Sequence, residues 1–231
     1  MIILALDALD LKMVKRYRCK SLMQKEHGQT DISEFKLPRT VVLWASFLTG
    51  VNMESKIPIK TQWSFKLKRE DTFLRFFRDY KAIDVPALTY KDEEHAKVRR
   101  LLKAYFEEQA DVEEYDETIW RIHQENKKEF LSSIGEHEIL IGYFDLADSI
   151  GHLSFGISEK MEVVYRELES LAEEVKSSTD EFLLVVSDHG MNAVGRYGDH
   201  TMNGFYSANK SLKLGTPRIT DFYRIIKEGT R

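Results

Sequence analysis

The sequence predicts an α/β protein whose mostly parallel sheet is flanked by helices. Three short, continuous apolar runs, at residues 2–6, 138–144 and 182–187, are typical of buried parallel strands. Between the second and third runs, residues 159–177 carry apolar side chains at alternating three- and four-residue steps, which predicts a helix with one apolar face and Ser158 as its N-cap. A strand, a helix and a strand in this order indicate a parallel βαβ unit.

The composition is that of a globular domain. The 231 residues are 42% hydrophobic and 31% charged, which suffices for one sizeable core, and the single cysteine, Cys19, excludes an internal disulfide. No apolar run approaches the ~20 residues that cross a bilayer, and the N-terminal segment lacks the basic leader of a signal peptide. The formal net charge of -4 gives no long-range attraction to nucleic acid. We therefore expect a cytoplasmic protein without a membrane or nucleic-acid partner.

The middle of the chain differs in character. Residues 66–133 are rich in charge and predict helices at 94–109 and 117–134, with the acidic cluster 111–117 as a solvated turn between them. No cluster of candidate ligands lies in this segment. We interpret residues 1–231 as one α/β domain in which about 66–133 form a small helical insertion or cap. An equally good interpretation is that these helices simply cover one face of the sheet.

Acidic and histidine side chains follow each of the three predicted strands. Asp7 ends the first strand, Asp145 and Asp148 follow the second, and Asp188 with His189 follows the third. The carboxyl ends of parallel strands meet at one edge of a sheet, where ligands bind. Several carboxylates gathered there would repel one another without a cation, so the pattern predicts a metal site at this edge.

Two further clusters add possible ligands. Asp148 and His152 are four residues apart and can share one face of a helical turn, although Gly151 also permits a non-helical path. His200 lies in a glycine-rich loop that could deliver a ligand from far along the chain. Each cluster alone has an ordinary interpretation, as a helix cap or a surface loop, and only their combination favours a metal site.

Thr40 stands at the start of a predicted short apolar helix, residues 41–49, which Gly50 is suited to end. The free backbone N–H groups at such a position favour anions, and the hydroxyl is either a helix cap or a nucleophile. Arg39 beside it is either an extra positive group for a phosphate oxygen or a surface charge.

Oxygen and nitrogen ligands without thiolates suit Zn²⁺ first, with Mn²⁺ or iron as alternatives. Seven candidate ligands match two divalent ions that each keep an open position. The candidates are Asp7, Thr40, Asp148, His152, Asp188, His189 and His200. The remaining histidines lie in charged or helical surroundings and are expected at the surface: His27, His95, His123 and His137.

In their order along the chain, Asp7, Thr40 before the Thr49–Gly50 pair, and the segments DSIGH, SDHG and GDH resemble the alkaline phosphatase superfamily, and within it the type I phosphodiesterase/nucleotide pyrophosphatase branch. The resemblance implies a phosphoester hydrolase with Thr40 as nucleophile and a phosphothreonine intermediate. One metal would be surrounded by Asp7, Thr40, Asp188 and His189, and the other by Asp148, His152 and His200. The implied partner is a small phosphodiester or nucleotide-type substrate, and the oligomeric state stays open.

Other interpretations remain. Within the same superfamily, a phosphomonoesterase would need more positive charge near the phosphate, and a phosphomutase would need a larger second domain than residues 66–133 provide. A catalytically silent metal-binding protein of this fold would be expected to have lost some ligands. Asp10 and Asp145 match no ligand position and are expected either to be structural or to support the ligands from outside the metal site. Ala8 stands where the family usually has glycine, which predicts a less sharp turn after Asp7.

Overall fold

The three apolar runs form neighbouring strands at the centre of a six-stranded sheet in the computed structural model, which describes residues 1–229. The strands are β1 (Ile2–Leu6), β2 (Glu26–Asp31), β3 (Tyr80–Ile83), β4 (Ile139–Phe144), β5 (Leu183–Val186), β6 (Met191–Val194), β7 (Tyr197–His200) and β8 (Asn203–Ala208). The sheet order is β2-β8-β5-β1-β4-β3, and β6 pairs with β7 in a separate hairpin. The predicted strands β4 and β5 flank β1, and both run parallel to it.

One edge of the sheet departs from the parallel pattern. β3 is parallel to β4, whereas β8 runs antiparallel to both of its neighbours, β5 and β2. The sheet is therefore mostly parallel, as predicted. β2 and β8 had no clear sequence signal, because polar residues such as Glu26 and Gln29 interrupt any apolar pattern.

Helices cover both faces of the sheet. They are α1 (Leu11–Arg16), α2 (Thr40–Thr49), α3 (Asp92–Phe106), α4 (Val112–Ser132), α5 (Leu146–Ser154), α6 (Ser158–Ser178) and α7 (Phe222–Glu228). Side chains alternate between the faces of a strand. In β1, Leu4 and Leu6 pack with α4, α5 and α6 on one face, while Ile3 and Ala5 pack with α2 and α7 on the other. The predicted α/β fold with flanking helices is confirmed.

Helix α2 is buried almost throughout, since eight of its ten residues are buried. Gly50 ends it at φ 73, a left-handed conformation that costs glycine little. A Cβ at this glycine would lie 2.7 Å from the side chain of Tyr223. The predicted helix and its glycine end are therefore found as expected, and both are held in place by the packing of α7.

Residues 66–133 contribute to the sheet as well as to the helical layer. They contain β3, which is an edge strand beside β4, followed by α3 and α4. Helix α4 packs on the sheet through Tyr115, Ile119 and Phe130, all buried in the same core as α5 and α6. No helix within residues 1–229 is both long and apolar enough to cross a membrane.

Three local predictions are wrong. The acidic segment 111–117 is the start of α4 rather than a turn, and Glu113 and Glu114 in its first turn complement the helix dipole. Ser158 is the first residue of α6, with Ile157 at the N-cap. His200 ends strand β7 and does not lie in a loop.

Candidate metal centre

The carboxyl ends of β1, β4 and β5 place acidic side chains at one edge of the sheet, as the sequence predicts. Asp7 follows β1 directly, and Asp188 with His189 follows β5; all three side chains are fully buried. Ala8 takes φ 56, the left-handed conformation that glycine usually supplies. The turn after Asp7 therefore forms even though Ala8 carries a side chain. The Ser187 hydroxyl links the two strand ends, because it accepts from Leu9 N and donates to His189 O.

The other candidate ligands come from α5 and β7. Asp148 and His152 lie one turn apart on α5, so the helical alternative is the one observed. His200 reaches them because the β6–β7 hairpin packs closely on α5. A Cβ at Gly198 would lie 2.8 Å from the backbone oxygen of Gly151, so only glycine allows this approach.

These side chains form two groups that could each hold a metal ion. The first group is Asp7, Asp188 and His189, in which His189 Nε2 lies 3.2 Å from Asp7 Oδ1 and 3.6 Å from Asp188 Oδ2. The second group is Asp148, His189 and His200, in which His200 Nε2 lies 3.1 Å from Asp148 Oδ1. His189 belongs to both groups and joins them into one centre.

His152 adjoins the second group. Its Nε2 atom lies 3.3 Å from Asp148 Oδ2 and 3.4 Å from His200 Nε2. Six of the seven predicted ligands are thus neighbours in space. They come from segments as far apart in sequence as Asp7 and His200, which only the fold brings together.

Several buried polar atoms of this centre have no hydrogen-bond partner. They are Asp7 Oδ1, Asp148 Oδ1, both carboxylate oxygens of Asp188, and His189 Nε2. Unpaired buried polar atoms each cost a desolvation penalty and are rare in folded proteins. One oxygen each of Asp7, Asp188 and Asp148 lies 3.2, 3.6 and 4.0 Å from His189 Nε2, and the chemistry of these atoms is that of ligands for a divalent cation. The residues present therefore fit a bound metal.

The pKa values of these side chains also reflect their burial without a compensating cation. Burial raises the pKa of Asp188 far above its usual value, and the neighbouring Asp7 charge raises it further. Burial likewise raises the pKa of Asp7, with Asp148 contributing. For His189, burial and the nearby charge of His200 lower the pKa to about 3. A neutral imidazole beside carboxylates that resist ionisation is the state expected of a ligand set lacking its cation.

The second group is more strongly paired. Burial alone would lower the pKa of His200, but the neighbouring carboxylate of Asp148 raises it to about 9. Asp148 has a pKa well below its usual value, because His152 and His200 outweigh its burial. The centre thus has a fully buried, unpaired half and a half in which acid and imidazole compensate each other.

Thr40 is the first residue of α2 and lines the cavity beside this centre. The N-cap position is occupied by Arg39, and no side chain caps the helix. The interpretation of Thr40 as a helix cap is therefore not supported. Its half-buried hydroxyl lies at a helix N-terminus, where backbone N–H groups are available to an anion.

A cavity of about 690 Å³ opens over the centre. Its wall includes Thr40, Asp148, His152 and His200, and also residues of α3 such as Val98 and Arg99. A volume of this size accommodates a small organic ligand and greatly exceeds that of a phosphate group alone. The cavity therefore meets the centre at Asp148, His152 and His200, whereas the fully buried residues of the first group do not line it.

The sequence-based assignment of His95 and His123 to the surface is wrong. His95 is 3% exposed and lies between two carboxylates, 2.9 Å from Asp84 Oδ2 and 3.4 Å from Asp145 Oδ2. His123 is also buried, and its Nε2 lies 3.1 Å from Glu167. Their carboxylate partners lie outside the charged sequence neighbourhoods that suggested exposure, so no local pattern reveals this burial.

The structural aspartates behave as expected. Asp10 caps α1 by accepting from Lys12 N and Met13 N. Asp145 stands at the N-cap position of α5 and accepts from Ser149 Oγ at 2.9 Å. Arg39 is not a free surface charge, because its Nη1 donates to Ile57 O at 2.9 Å.

Comparison with solved structures finds the same fold in known enzymes. A mutant of the alkaline phosphatase from the Antarctic bacterium TAB5, with bound magnesium, has 13% sequence identity and a TM-score of 0.55, with 99% of this chain and 96% of that chain covered. The phosphoglycerol transferase GacH of Streptococcus pyogenes, in complex with sn-glycerol-1-phosphate, has 12% identity and a TM-score of 0.50, with 98% and 73% covered.

Murine ectonucleotide pyrophosphatase/phosphodiesterase 5 has 13% identity and a TM-score of 0.48, and the chain spans 58% of its length. No family model and no curated protein matches the sequence. The resemblance to the alkaline phosphatase superfamily that the motifs indicate is therefore found in the fold.

Proposed function

We propose that this chain, which has the fold of alkaline phosphatase, is a metal-dependent phosphoester hydrolase that acts through Thr40. The observation that carries the proposal is the convergence of five unpaired buried ligand atoms, from Asp7, Asp148, Asp188 and His189, beside a cavity that Thr40 lines. Such an arrangement is costly for a structural site and suits a two-metal hydrolase.

Two divalent ions, with Zn²⁺ the best match to the donors, would supply positive charge for the phosphate oxygens. Asp7, Asp188 and His189 would hold one ion, with Thr40 beside it. Asp148, His152 and His200 would hold the other.

Thr40 is the proposed nucleophile. Its hydroxyl gives up its proton as Oγ attacks phosphorus in line with the ester bond; the Oγ–phosphorus bond forms, the phosphorus–ester oxygen bond breaks, and the ester oxygen takes up a proton and leaves as an alcohol. Water then attacks phosphorus, the Oγ–phosphorus bond breaks, and Thr40 regains its hydroxyl proton while the phosphate, still carrying any second ester group, is released. The backbone N–H groups at the start of α2 stabilise the phosphate oxygens during both steps.

A diester or nucleotide-type substrate is favoured over a monoester. A monoester presents a third charged oxygen that needs an additional positive group. The candidate, Arg39, uses both terminal nitrogens on the backbone, with Nη1 donating to Ile57 O at 2.9 Å and Nη2 to Glu54 O at 3.4 Å. Nη1 also donates to Gln62 Oε1 at 3.5 Å, which among residues 1–229 leaves the buried Nε and one N–H of Nη2 without a partner. The cavity size also fits a substrate with a sizeable organic group.

The test is a panel of phosphoesters on zinc-reconstituted protein, with 4-nitrophenyl phosphate and bis(4-nitrophenyl) phosphate compared in the same buffer. We expect hydrolysis with the diester faster. Thr40→Ala should abolish turnover, while metal content by elemental analysis stays unchanged. Thr49→Ala, at the other end of the same helix, is the matched control and should stay active. Full activity in Thr40→Ala would show that the nucleophile is wrongly assigned.

A further inference from the structure

The outer wall of the cavity carries a guanidinium without a counter-charge. Arg99 of α3 lines the cavity and is half-buried, yet no carboxylate oxygen of residues 1–229 lies within 4 Å of it. Two cations of α4 behave differently. Arg121 pairs with Glu94 and Glu125, and Lys127 pairs with Glu167. Partial burial of an unpaired charge is unfavourable unless a ligand compensates it.

The Arg99 side chain is held by aromatic stacking. Its guanidinium carbon lies 4.0 Å from the centroid of the Trp63 ring, a close cation–π contact. Trp63 is nearly parallel to Tyr90, with centroids 6.3 Å apart, and Tyr90 stacks on the buried His95 at 4.0 Å. The guanidinium is therefore oriented by a rigid row of rings that ends in the protein interior.

Stacking on Trp63 leaves the N–H groups of Arg99 available in the plane of the guanidinium. These donors match the oxygens of a phosphate or a carboxylate. The ammonium of Lys36, which also lines the cavity, likewise has no carboxylate within 4 Å among the described residues. A planar ligand group, by contrast, cannot stack on this face of Trp63, because Arg99 covers it. This wall is thus suited to an anion rather than to a stacked ring.

We propose, given the proposed function, that the organic portion of the substrate carries a second anionic group, either a phosphate or a carboxylate. Arg99 binds this group with help from Lys36. The phosphoester to be cleaved would lie at Thr40 and the metal centre, and the second anion at Arg99. One continuous cavity of about 690 Å³ lined by all of these residues allows both ends to be engaged at once.

The test measures binding rather than turnover. Phenylphosphonate, 4-carboxyphenylphosphonate and 1,4-phenylenediphosphonate are titrated calorimetrically into zinc-reconstituted protein. We expect the two probes with a second anion to bind about tenfold more tightly than phenylphosphonate, and the stronger of the two identifies the preferred anion. In Arg99→Met, which keeps an apolar side chain over Trp63, this ratio should fall to about one.

Arg100→Met is the matched control, since Arg100 is exposed on the same helix and does not line the cavity. Its ratio should stay near tenfold. A ratio of one in the wild type, or an unchanged ratio in Arg99→Met, would overturn the inference. Thr40→Ala separates it from the proposed function, because the ratio should survive that substitution. A tenfold ratio in wild-type protein that hydrolyses none of the tested phosphoesters would refute the proposed function alone.

Discussion

Two buried groups of aspartate and histidine lie near the same edge of the sheet, and they differ in how their charges are satisfied. In the candidate metal centre, five buried polar atoms of Asp7, Asp148, Asp188 and His189 have no hydrogen-bond partner among the described residues. The second group, which we call the His95 cluster, consists of Asp84, His95, Asn126 and Asp145. None of the buried atoms without a partner belongs to it.

The hydrogen bonds of the His95 cluster are complete. Asp84 Oδ2 accepts from His95 Nε2 at 2.9 Å and from Asn126 Nδ2 at 2.7 Å, and its Oδ1 accepts from Lys91 N at 2.8 Å. Asp145 accepts from Ser149 and faces the other nitrogen of His95. Burial and residue type are thus alike in the two groups. What distinguishes a candidate metal site from a structural ion pair is the set of unpaired atoms.

The largest expected effects come from matched Asp→Asn substitutions in the two groups. Asp188→Asn should lower hydrolytic activity at least ~1,000-fold and reduce bound metal, since an essential ligand is lost. In metal-free protein it should not lower the free energy of unfolding, because burial and Asp7 already disfavour the Asp188 charge. Asp84→Asn should lower the free energy of unfolding by about 3 kcal/mol, because protonated His95 loses a buried partner.

The measurements are urea unfolding in the presence of a chelator, elemental analysis and the hydrolysis rate. Equal destabilisation by Asp188→Asn and Asp84→Asn in metal-free protein would contradict this distinction between the two groups, since both carboxylates would then be compensated by the protein itself.

The contribution of the His95 cluster to the free energy of unfolding should depend on pH. Burial alone would lower the pKa of His95, but the carboxylates of Asp145 and Asp84 outweigh it and raise the pKa from 6.5 to about 9. The proton is held more tightly in the folded protein. Its contribution is therefore complete below about pH 6.5 and is lost as the pH rises to about 9.

The shift corresponds to about 3 kcal/mol. The free energy of unfolding is compared between the wild type and His95→Gln at pH 6 and pH 9.5. The difference between the two proteins should shrink by that amount at the higher pH. Asp7 and His200 titrate in both proteins, so their contributions cancel. A difference that is independent of pH would mean that His95 is neutral in the folded protein.

The smallest effect concerns Tyr143, which lies between the two groups. Its hydroxyl donates to Asp7 Oδ2, and its ring lies 6.3 Å from the ring of His95. Tyr143→Phe leaves Asp7 with another unpaired oxygen. We expect about tenfold weaker zinc binding, since hydrogen bonds to a ligand orient it, and a loss of about 1 kcal/mol in the free energy of unfolding.

Tyr165→Phe is the control, because Tyr165 is a buried tyrosine whose hydroxyl accepts from Asp10 N away from the centre. It should lower stability similarly and leave zinc affinity unchanged, as measured by competition with a chromophoric chelator. If both variants weaken zinc binding equally, the effect of Tyr143 does not pass through Asp7.

Much of the fold and of the candidate site follows from local patterns. The apolar runs predict β1, β4 and β5, because strands buried on both faces are apolar throughout. The acids at their ends predict the metal centre, since parallel strands share a carboxyl edge. Thr40 at the start of α2 and Gly50 at its end follow from helix-terminal preferences. These features depend on residues close together in sequence, and such signals can be read along the chain.

The sheet's parallel centre and the identity of the candidate ligands can therefore be predicted from the amino acids alone. Three facts emerge only once the chain is folded: His189 joins two ligand groups, His95 is buried between Asp84 and Asp145, and Arg99 is left without a counter-charge. Each of these facts depends on contacts between distant segments. A charged side chain has the same sequence neighbours whether it faces water, a carboxylate or an open cavity. The free energy of its burial differs among these environments, and the environment depends on residues that are distant in sequence.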